Sequence, residues 1–222
     1  MTPIAYIHNA YTGKFGIPRQ SGLVSGMLSR IVMEPEYRHS EAFRGLDGFS
    51  HIWLLWTFDV QGKGLTVRPP LLGGNKRMGV FATRSPFRPN NIGLSSVRLD
   101  RIDRENPDGP VLYVDGADLM DGTPILDIKP YLPFTDIHTD ATGGWTDTVT
   151  VRPLTVIVTD ETRATYPTLT QHDWNVLAQI LQNDPRPHYQ DNPLRTYKLD
   201  YARHTISFTV RDDKVTIEKN IT

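Results

Sequence analysis

The chain of 222 residues contains no cysteine. Disulfide bonds, thiolate metal sites and cysteine nucleophiles are therefore excluded, and the composition fits a reducing compartment. The longest apolar run, Ile52–Trp56, is far too short to span a bilayer. The first residues also lack the long apolar segment of a signal peptide. We therefore expect a protein that makes no membrane contact and resides in the cytoplasm.

Several common cofactor and catalytic motifs are missing as well. No Gly-x-Gly-x-x-Gly fingerprint follows a predicted strand, so a Rossmann cofactor site has no support. The chain has no Walker-type phosphate loop and no His-Glu-x-x-His or other metal-ligand spacing, so we expect no metal. It also lacks the Gly-x-Ser-x-Gly elbow of the α/β-hydrolases.

Acidic residues are absent from Val60 to Leu99, a stretch that holds seven basic residues. The rest of the chain has 17 basic and 25 acidic residues, so this basic region predicts an anionic partner. Within it, Arg84–Gly93 combines two prolines with turn-forming asparagines and glycine, a pattern typical of a stiff loop. Such a loop would display Arg84 and Arg88, whose planar side chains suit phosphate and carboxylate. A solvated surface loop is the alternative.

Most apolar segments are short, rich in β-branched and aromatic residues, and bounded by turn formers. This pattern predicts strands, and their number favours a barrel or a sandwich. A helix is expected near Pro35–Arg44, which has proline at its start and is followed by Gly45. The predicted strands are Ile4–His8, Val24–Met33, Ser50–Phe58, Arg77–Ala82, Ser95–Ile102, Val111–Ala117 and Pro124–Ile128.

The pattern changes in the last third of the chain. Thr135–Val151 is polar and rich in glycine and threonine, which indicates a linker or a mobile loop. Thr168–Leu181 has apolar residues at helical spacing. Two alternating runs follow, His204–Val210 and Lys214–Lys219, with Asp212-Asp213 as the turn of a predicted hairpin. These elements predict a second, smaller α+β domain.

Individual residues in three segments leave alternatives open. Phe49–Phe58 reads as a strand buried on both faces, on which His51 is either catalytic or, more typically, a hydrogen-bonded core residue. Trp53 and Trp56 could stack on a base, although core packing is the more typical role. Asp127 and Lys129 share one strand face and can pair, so Asp118–Tyr131 is either a ligand-binding turn or a plain hairpin. In Asp184–Tyr189, the side chains of Arg186, His188 and Tyr189 either contact nucleic acid or cap the preceding helix.

Four segments in this order, PRQSG, GLDGFSHIWLLWTF, RPPLLGGNKRMGVFATRSPFRPNNIGLS and DGTPILDIKPYLPF, closely resemble the TsaA/TrmO-like family of tRNA methyltransferases. The resemblance runs through most of Lys14–Phe134. NDPRPHY and the final hairpin look like the family's small C-terminal domain. One departure is Asn91, which stands where the family loop usually has a second proline, so a less stiff loop is expected here.

The resemblance implies a mainly β fold, with an antiparallel β-barrel followed by a small α+β domain. The expected units are 1–135, which binds S-adenosylmethionine, 136–152 as the linker or mobile loop, and 153–222, which contacts tRNA. The implied reaction is methylation of the N6 nitrogen of N6-threonylcarbamoyladenosine next to the anticodon. The family is expected to act as a homodimer with the cofactor near the subunit interface.

The chemistry of the implied reaction gives the catalytic candidates within the matching motifs. Arg84, Arg88 and Lys129 are candidates to hold the threonyl carboxylate, and Asp59, Asp121 and Asp127 are candidates to accept the proton. Lys76 and Arg77 would meet tRNA phosphates, and Phe87 or Tyr131 would stack on a base. A non-catalytic RNA-binding module and a small-molecule methyltransferase are the alternatives. The expected cofactor-binding residues are Gln20, Ser21, Gly22, Phe58, Asp59, Arg84, Leu94, Asp121, Gly122, Thr123, Pro124 and Ile125.

Overall fold

Six antiparallel strands close into a barrel in the first part of the chain. The computed structural model describes residues 1–60, 62, 64–186 and 192–220. The barrel strands are β1 (Ala5–His8), β2 (Ser29–Met33), β3 (His51–Thr57), β6 (Ile92–Asp103), β7 (Val111–Asp115) and β8 (Pro124–Pro130). They lie in the order β1-β2-β7-β6-β3-β8, and every pairing is antiparallel. A separate two-stranded sheet consists of β4 (Thr66–Val67) and β5 (Met78–Gly79). The prediction of an antiparallel barrel is confirmed.

Strand β3 has one buried face and one that is partly open. Ile52, Leu54 and Trp56 point into the barrel core and are at most 6% exposed. The alternate residues of β3 are half-buried, and His51 at its start is exposed. The expectations of a strand buried on both faces and of a core histidine were therefore wrong. Side chains of a strand alternate between its two faces, and the outer face of β3 is covered only in part, for example by Tyr131 and Asp136 at Trp53.

Three predicted elements are shorter or different in the structure. In 24–33 the strand begins only at Ser29, because Gly26 has a φ of 91° and breaks the extended backbone. In 77–82 only β5 is extended, and a 3₁₀ turn follows. The helix expected near Pro35–Arg44 is two short 3₁₀ turns, of which only Phe43 is buried. One buried side chain cannot form the apolar stripe that stabilises an α-helix.

The last third of the chain forms a second sheet with two helices. Strands β9 (Thr155–Ile157), β10 (Tyr197–Tyr201), β11 (His204–Arg211) and β12 (Lys214–Ile217) lie in the order β10-β11-β12-β9. The helices are α2 (Asp160–Ala164) and α3 (Gln171–Gln182), and a short α1 (Pro133–Asp136) follows the barrel. Helix α3 begins after Thr170, which caps it by accepting a hydrogen bond from the Asp173 amide. The predicted hairpin between β11 and β12 is present, with Asp212 and Asp213 at its turn.

The two hydrophobic cores interleave along the chain. One lies inside the barrel, and the other lies between α3 and the second sheet. Tyr11, Val24 and Met27 precede β2, yet their side chains belong to the second core. The segment between β1 and β2 is therefore held by the part of the chain that follows residue 153.

Candidate active site

A cavity of about 1190 Å³ opens at one end of the barrel. Four segments surround it: the first loop (residues 9–28), the end of β3, the basic loop (residues 83–91) with the start of β6, and the turn loop (residues 116–123). The basic loop is held in place by its own arginines. Arg88 Nη1 donates to the Thr83 carbonyl at 3.0 Å, and Arg84 Nη1 donates to Gln20 Oε1 of the first loop at 2.6 Å. The lining includes the predicted residues Gln20, Phe58, Asp59, Arg84, Arg88, Leu94, Gly122, Thr123 and Pro124.

Asn91 ties the basic loop to the end of β3. The Phe58 amide donates to the Asn91 carbonyl at 2.9 Å, and Asn91 Nδ2 donates back to the Phe58 carbonyl. A proline at this position would lack the amide side chain that makes the second bond. The expected loss of stiffness is therefore offset by a specific hydrogen bond that positions Phe58 at the cavity.

An aromatic pair forms part of the apolar cavity wall. The rings of Trp56 and Phe58 lie 4.1 Å apart between centroids and are tilted by 57°. Trp56 lies against the backbone of Gly93 on β6, where a Cβ atom would overlap the indole ring. Glycine at position 93 is therefore required for this ring packing.

A buried hydrogen-bond chain runs from this pair to an acidic side chain. Trp56 Nε1 donates to Ser95 Oγ at 3.0 Å, and Ser95 Oγ donates to Asp118 Oδ1 at 2.5 Å. Asp118 lines the cavity from the turn loop. Burial raises the pKa of the Asp118 carboxyl, against the opposing effects of Ser95, Arg84 and the Ser21 amide. Asp118 was not among the predicted site residues; its signal was a carboxylate three residues after β7, a strand that is buried except at Tyr113.

The predicted turn residues do not all face the cavity. Gly122 has a φ of 77°, and its amide donates to the Ile7 carbonyl of β1 at 2.8 Å. This turn directs Gly122, Thr123 and Pro124 to the cavity. Asp121 instead contacts His8 at 3.3 Å and accepts from the Asn9 amide at 3.0 Å. Ile125 is fully buried in the barrel core.

Two residues of the first loop also lie outside the main cavity. The Gly22 amide donates to the Gly116 carbonyl at 2.8 Å, which joins the first loop to the turn loop. Ser21 borders a shallower cleft of about 420 Å³ on the outer face of the barrel, together with Arg84 and the aromatic side chains of His51, Trp53 and Tyr131. Arg84 therefore separates this outer cleft from the main cavity.

Asp127 and Lys129 do not line the main cavity. They form an ion pair of 2.9 Å on β8, and both side chains are about half exposed. Their partners across the sheet are Leu55 and Trp53, which belong to the outer face of β3. The expected pairing is observed, but it places both side chains away from the residues of the main cavity.

The segment after α3 supports the first loop. Arg186 is 9% exposed and pairs with both carboxylate oxygens of Asp184 at 2.8 and 2.9 Å. Arg19 Nη2 donates to the carbonyls of Asp184 and Arg186 at 3.0 and 2.7 Å. Arg186 is therefore a structural residue rather than an exposed phosphate contact. The other residues of this motif, Pro187, His188 and Tyr189, lie outside the described residues.

The described parts of the chain contain neither a metal cluster nor a membrane-spanning helix. Within residues 1–60, 62, 64–186 and 192–220, no cluster of three or more histidine, aspartate or glutamate side chains could hold a metal ion. In the same ranges no helix has the length and apolar character needed to cross a membrane.

Comparison with known proteins identifies the family. The model of the tRNA-methyltransferase O N-terminal domain matches residues 6–137, and that of the TrmO C-terminal domain matches residues 151–220. A tRNA (adenine(37)-N6)-methyltransferase from Escherichia coli (strain K12) is 43% identical over 197 residues, covering 84% of this chain and 82% of that protein. The Eikenella corrodens protein with the same name is 47% identical over 173 residues, covering 77% of this chain and 96% of that protein.

A solved structure agrees with this match over the full length. A crystal structure of TrmO from Pseudomonas aeruginosa superposes with a TM-score of 0.79 at 33% identity, covering 99% of this chain and 96% of that chain. The prediction of a methyltransferase with a barrel fold is confirmed, and the chain belongs to the tRNA-methyltransferase O family.

Proposed function

We propose that this chain methylates the N6 nitrogen of N6-threonylcarbamoyladenosine, next to the anticodon of tRNA, with S-adenosylmethionine as the methyl donor. The observation that carries this proposal is the main cavity, because the segments that resemble the methyltransferase family meet there. PRQSG lies in the first loop, SHIWLLWTF ends at Phe58, and the basic loop and the turn loop complete the wall.

The residues of the cavity fit a cofactor of this kind. A volume of about 1190 Å³ is large enough for a nucleoside-sized molecule. The wall combines an apolar aromatic pair, Trp56 and Phe58, with a few polar groups that can orient a ligand. When bound, S-adenosylmethionine supplies an activated methyl group on a sulfonium sulfur. The protein has to hold the acceptor nitrogen in line with that methyl group, so positioning supplies much of the acceleration.

The lining of the cavity favours a smaller set of residues for binding and deprotonating the acceptor than the sequence suggested. Arg84 and Arg88 line it and can bind the threonyl carboxylate by charge-assisted hydrogen bonds. Lys129 is paired with Asp127 and is the weaker candidate. Asp59 lines the cavity and is exposed, so it can accept the N6 proton or pass it to water. Asp121 contacts His8 and does not line the main cavity, so it is the weaker candidate for this role.

Exposed cations of the acid-free stretch fit tRNA as the carrier of the substrate. Lys76 and Arg77 are exposed and belong to the acid-free stretch, so they can meet backbone phosphates. Phe87 is 52% exposed in the basic loop and can stack on an unpaired base. Because phosphate contacts release counterions, binding of tRNA should weaken steeply with salt. Residues 153–222, which support the first loop, would form part of the same RNA-binding surface.

We also propose that the active form is a homodimer in the cytoplasm, where tRNA is modified. Phe81 and Leu94 line the cavity and are 78% and 53% exposed. A second subunit near the cavity would cover these apolar side chains. Light scattering of the purified protein tests this part: a mass of about twice the chain supports it, and a monomer at all concentrations contradicts it.

The methylation itself is tested by a reconstitution with purified components. The protein is incubated with S-adenosylmethionine and tRNA that carries or lacks the threonylcarbamoyl group, and the nucleosides are analysed by mass spectrometry. The proposal predicts one added methyl group on the modified adenosine and none on the unmodified tRNA. Cofactor binding without methylation would favour an RNA-binding role, and methylation of small amines without RNA would favour a small-molecule methyltransferase.

A further inference from the structure

The main cavity has an uneven distribution of charge. Four cations line it, namely Lys14, Arg19, Arg84 and Arg88. Among the described residues, only two carboxylates, those of Asp59 and Asp118, face them. Asp59 is exposed, so water and salt screen its charge, whereas Asp118 is half-buried and its charge acts at closer range. A cationic ligand in this cavity therefore needs a nearby negative group.

The hydrogen-bond chain fixes the Asp118 carboxylate in an acceptor role. An indole N–H can only donate, so Ser95 Oγ accepts from Trp56 and directs its own hydrogen to Asp118 Oδ1. Ser95 is 1% exposed, which keeps water from competing for these bonds. The Ser21 amide donates to the same carboxylate. The arrangement holds an oxygen-rich, negative group beside the aromatic pair.

The aromatic pair adds a second feature that suits a cation. The faces of Trp56 and Phe58 carry the negative part of the ring quadrupole, which attracts positively charged ligand groups. Both rings and Asp118 line the same cavity.

We propose that Asp118, together with Trp56 and Phe58, recognises the positive charge of the sulfonium group, so that the cavity binds the cationic methyl donor more tightly than the neutral thioether product. This inference rests on the proposed function. After the methyl group has moved to nitrogen and the N6 proton has left to solvent, the sulfur keeps the bonding electron pair and is neutral. Asp118 then loses the positive charge of the ligand and keeps only that of Arg84, so release of the product is favoured.

The electrostatic state of Asp118 supports this role. Burial raises the pKa of its carboxyl, and the positive charge of Arg84 opposes this only in part. Positive groups of the protein therefore balance the negative charge of the Asp118 carboxylate only in part. A cation placed beside Asp118 supplies that compensation.

The test compares the affinities of two ligands by calorimetry. Wild-type protein, Asp118→Asn, Ser95→Ala and Asp59→Asn are each titrated with S-adenosylmethionine and with S-adenosylhomocysteine. We expect the wild type to bind the cationic ligand more tightly. Asp118→Asn should weaken binding of S-adenosylmethionine about tenfold or more and binding of S-adenosylhomocysteine by less than about threefold. The ratio of the two affinities therefore falls. Ser95→Ala keeps the carboxylate and should keep the ratio. Asp59→Asn removes a charge that solvent screens, so the ratio should fall less than in Asp118→Asn.

Several results would overturn the inference. Equal losses for both ligands in Asp118→Asn would show that the residue only shapes the cavity. If the ratio of affinities falls in Asp59→Asn but not in Asp118→Asn, then Asp59 and not Asp118 recognises the sulfonium charge. The comparison of the two ligands on wild-type protein needs no variant, and tighter binding of the neutral ligand there would contradict the inference while leaving the proposed function intact. Failure of the wild type to bind either ligand would overturn both.

Discussion

The contacts of the Trp56 side chain determine the structure of the cavity wall. The indole ring packs on Gly93, its N–H donates to Ser95, and Ser95 in turn donates to Asp118. The sequence predicted Trp56 only as a core or base-stacking residue, and no local signal connected it with Ser95 or Asp118. Their roles come from the close approach of β3 and β6, which a Cβ at position 93 would prevent.

Replacing Gly93 by alanine should therefore destabilise the protein and its cavity together. The added methyl group overlaps the Trp56 ring, so we expect a loss of about 1–3 kcal/mol in the free energy of unfolding and weaker cofactor binding. Urea denaturation and calorimetry measure these two effects. Gly48→Ala is the matched control, because a Cβ there meets no atom within 4 Å, and it should change stability by less than about 0.5 kcal/mol. Equal stability of the two variants would contradict the packing described for Trp56.

Asp118 should also give the fold a pH dependence of known sign. Its pKa is raised in the folded protein above the ordinary value of 3.8, so the folded state holds the proton more tightly than the unfolded chain. The contribution of Asp118 to the free energy of unfolding therefore falls as the pH rises from that value through the folded pKa. In urea unfolding over a pH series, Asp118→Asn should gain stability relative to wild type across this window. A constant difference between the two proteins would contradict the assignment.

Arg84 is the residue at which substrate binding is most directly tested. Arg84 is exposed and its side chain donates to Gln20 Oε1, so alanine should leave the fold intact. We expect kcat/KM for methylation to fall about tenfold to a hundredfold, because a charge-assisted hydrogen bond to the substrate is lost. Arg44→Ala is the control, since this arginine is 80% exposed and pairs only with neighbouring Glu41 in the described structure. Unchanged kinetics in Arg84→Ala would remove Arg84 from the proposed site.

At the scale of elements, loops rather than strands set the geometry of the site. The basic loop is fastened at two points, by Arg84 to the first loop and by Asn91 to the end of β3. The family usually achieves stiffness at position 91 with proline, whereas this chain uses an amide side chain. The two solutions limit the backbone by different means, one by a restricted φ and the other by a hydrogen bond.

This difference predicts a rescue at position 91. Asn91→Ala removes the bond to the Phe58 carbonyl and should weaken cofactor binding about threefold to tenfold. Asn91→Pro also lacks the amide but restricts the backbone, so it should bind the cofactor better than the alanine variant. Calorimetry of both variants checks the order. A proline variant weaker than the alanine variant would contradict this account of the loop.

The elements that could be predicted from the sequence are those with local sequence signals. The strands that became β3, β6, β7 and β8, helix α3 and the final hairpin follow from alternation, helical spacing and turn residues. What could not be predicted depends on contacts between distant segments. Val24 and Met27 leave the predicted strand because the second core takes them, and Asp118 joins the cavity only because β6 brings Ser95 to it. Asp127 and Lys129 were predicted as catalytic residues from the chemistry of the implied reaction, while the register of β8 pairs them with Leu55 and Trp53 on the outer face of β3.

At the scale of the whole molecule, the first loop connects the two hydrophobic cores. The first loop contributes Tyr11, Val24 and Met27 to the second core, and Arg19 is held by the carbonyls of Asp184 and Arg186. The same loop carries Gln20, which contacts Arg84 at the cavity. The last third of the chain therefore helps to hold one wall of a cavity that belongs mainly to the barrel.

The ion pair after α3 should accordingly be important for stability. Asp184→Asn leaves the 9% exposed Arg186 without its charged partner, and asparagine tolerates the positive φ of 43° at this position. We expect the free energy of unfolding to fall by about 3 kcal/mol. The control is Asp212→Asn at an exposed turn residue with a φ of 49°, which should stay within about 0.5 kcal/mol of wild type in urea denaturation. A loss in Asp184→Asn no larger than in the control would contradict a structural role for the pair.

The most direct test of the proposed activity is the nucleoside composition of tRNA from cells with and without this gene. Digested tRNA is analysed by mass spectrometry, and the deletion strain is complemented with wild-type protein or with Arg84→Ala. We predict that the deletion removes the N6-methylated form of N6-threonylcarbamoyladenosine, leaves its unmethylated precursor, and is reversed by wild type but only weakly by the variant. An unchanged amount of the methylated nucleoside in the deletion strain would contradict the proposed function.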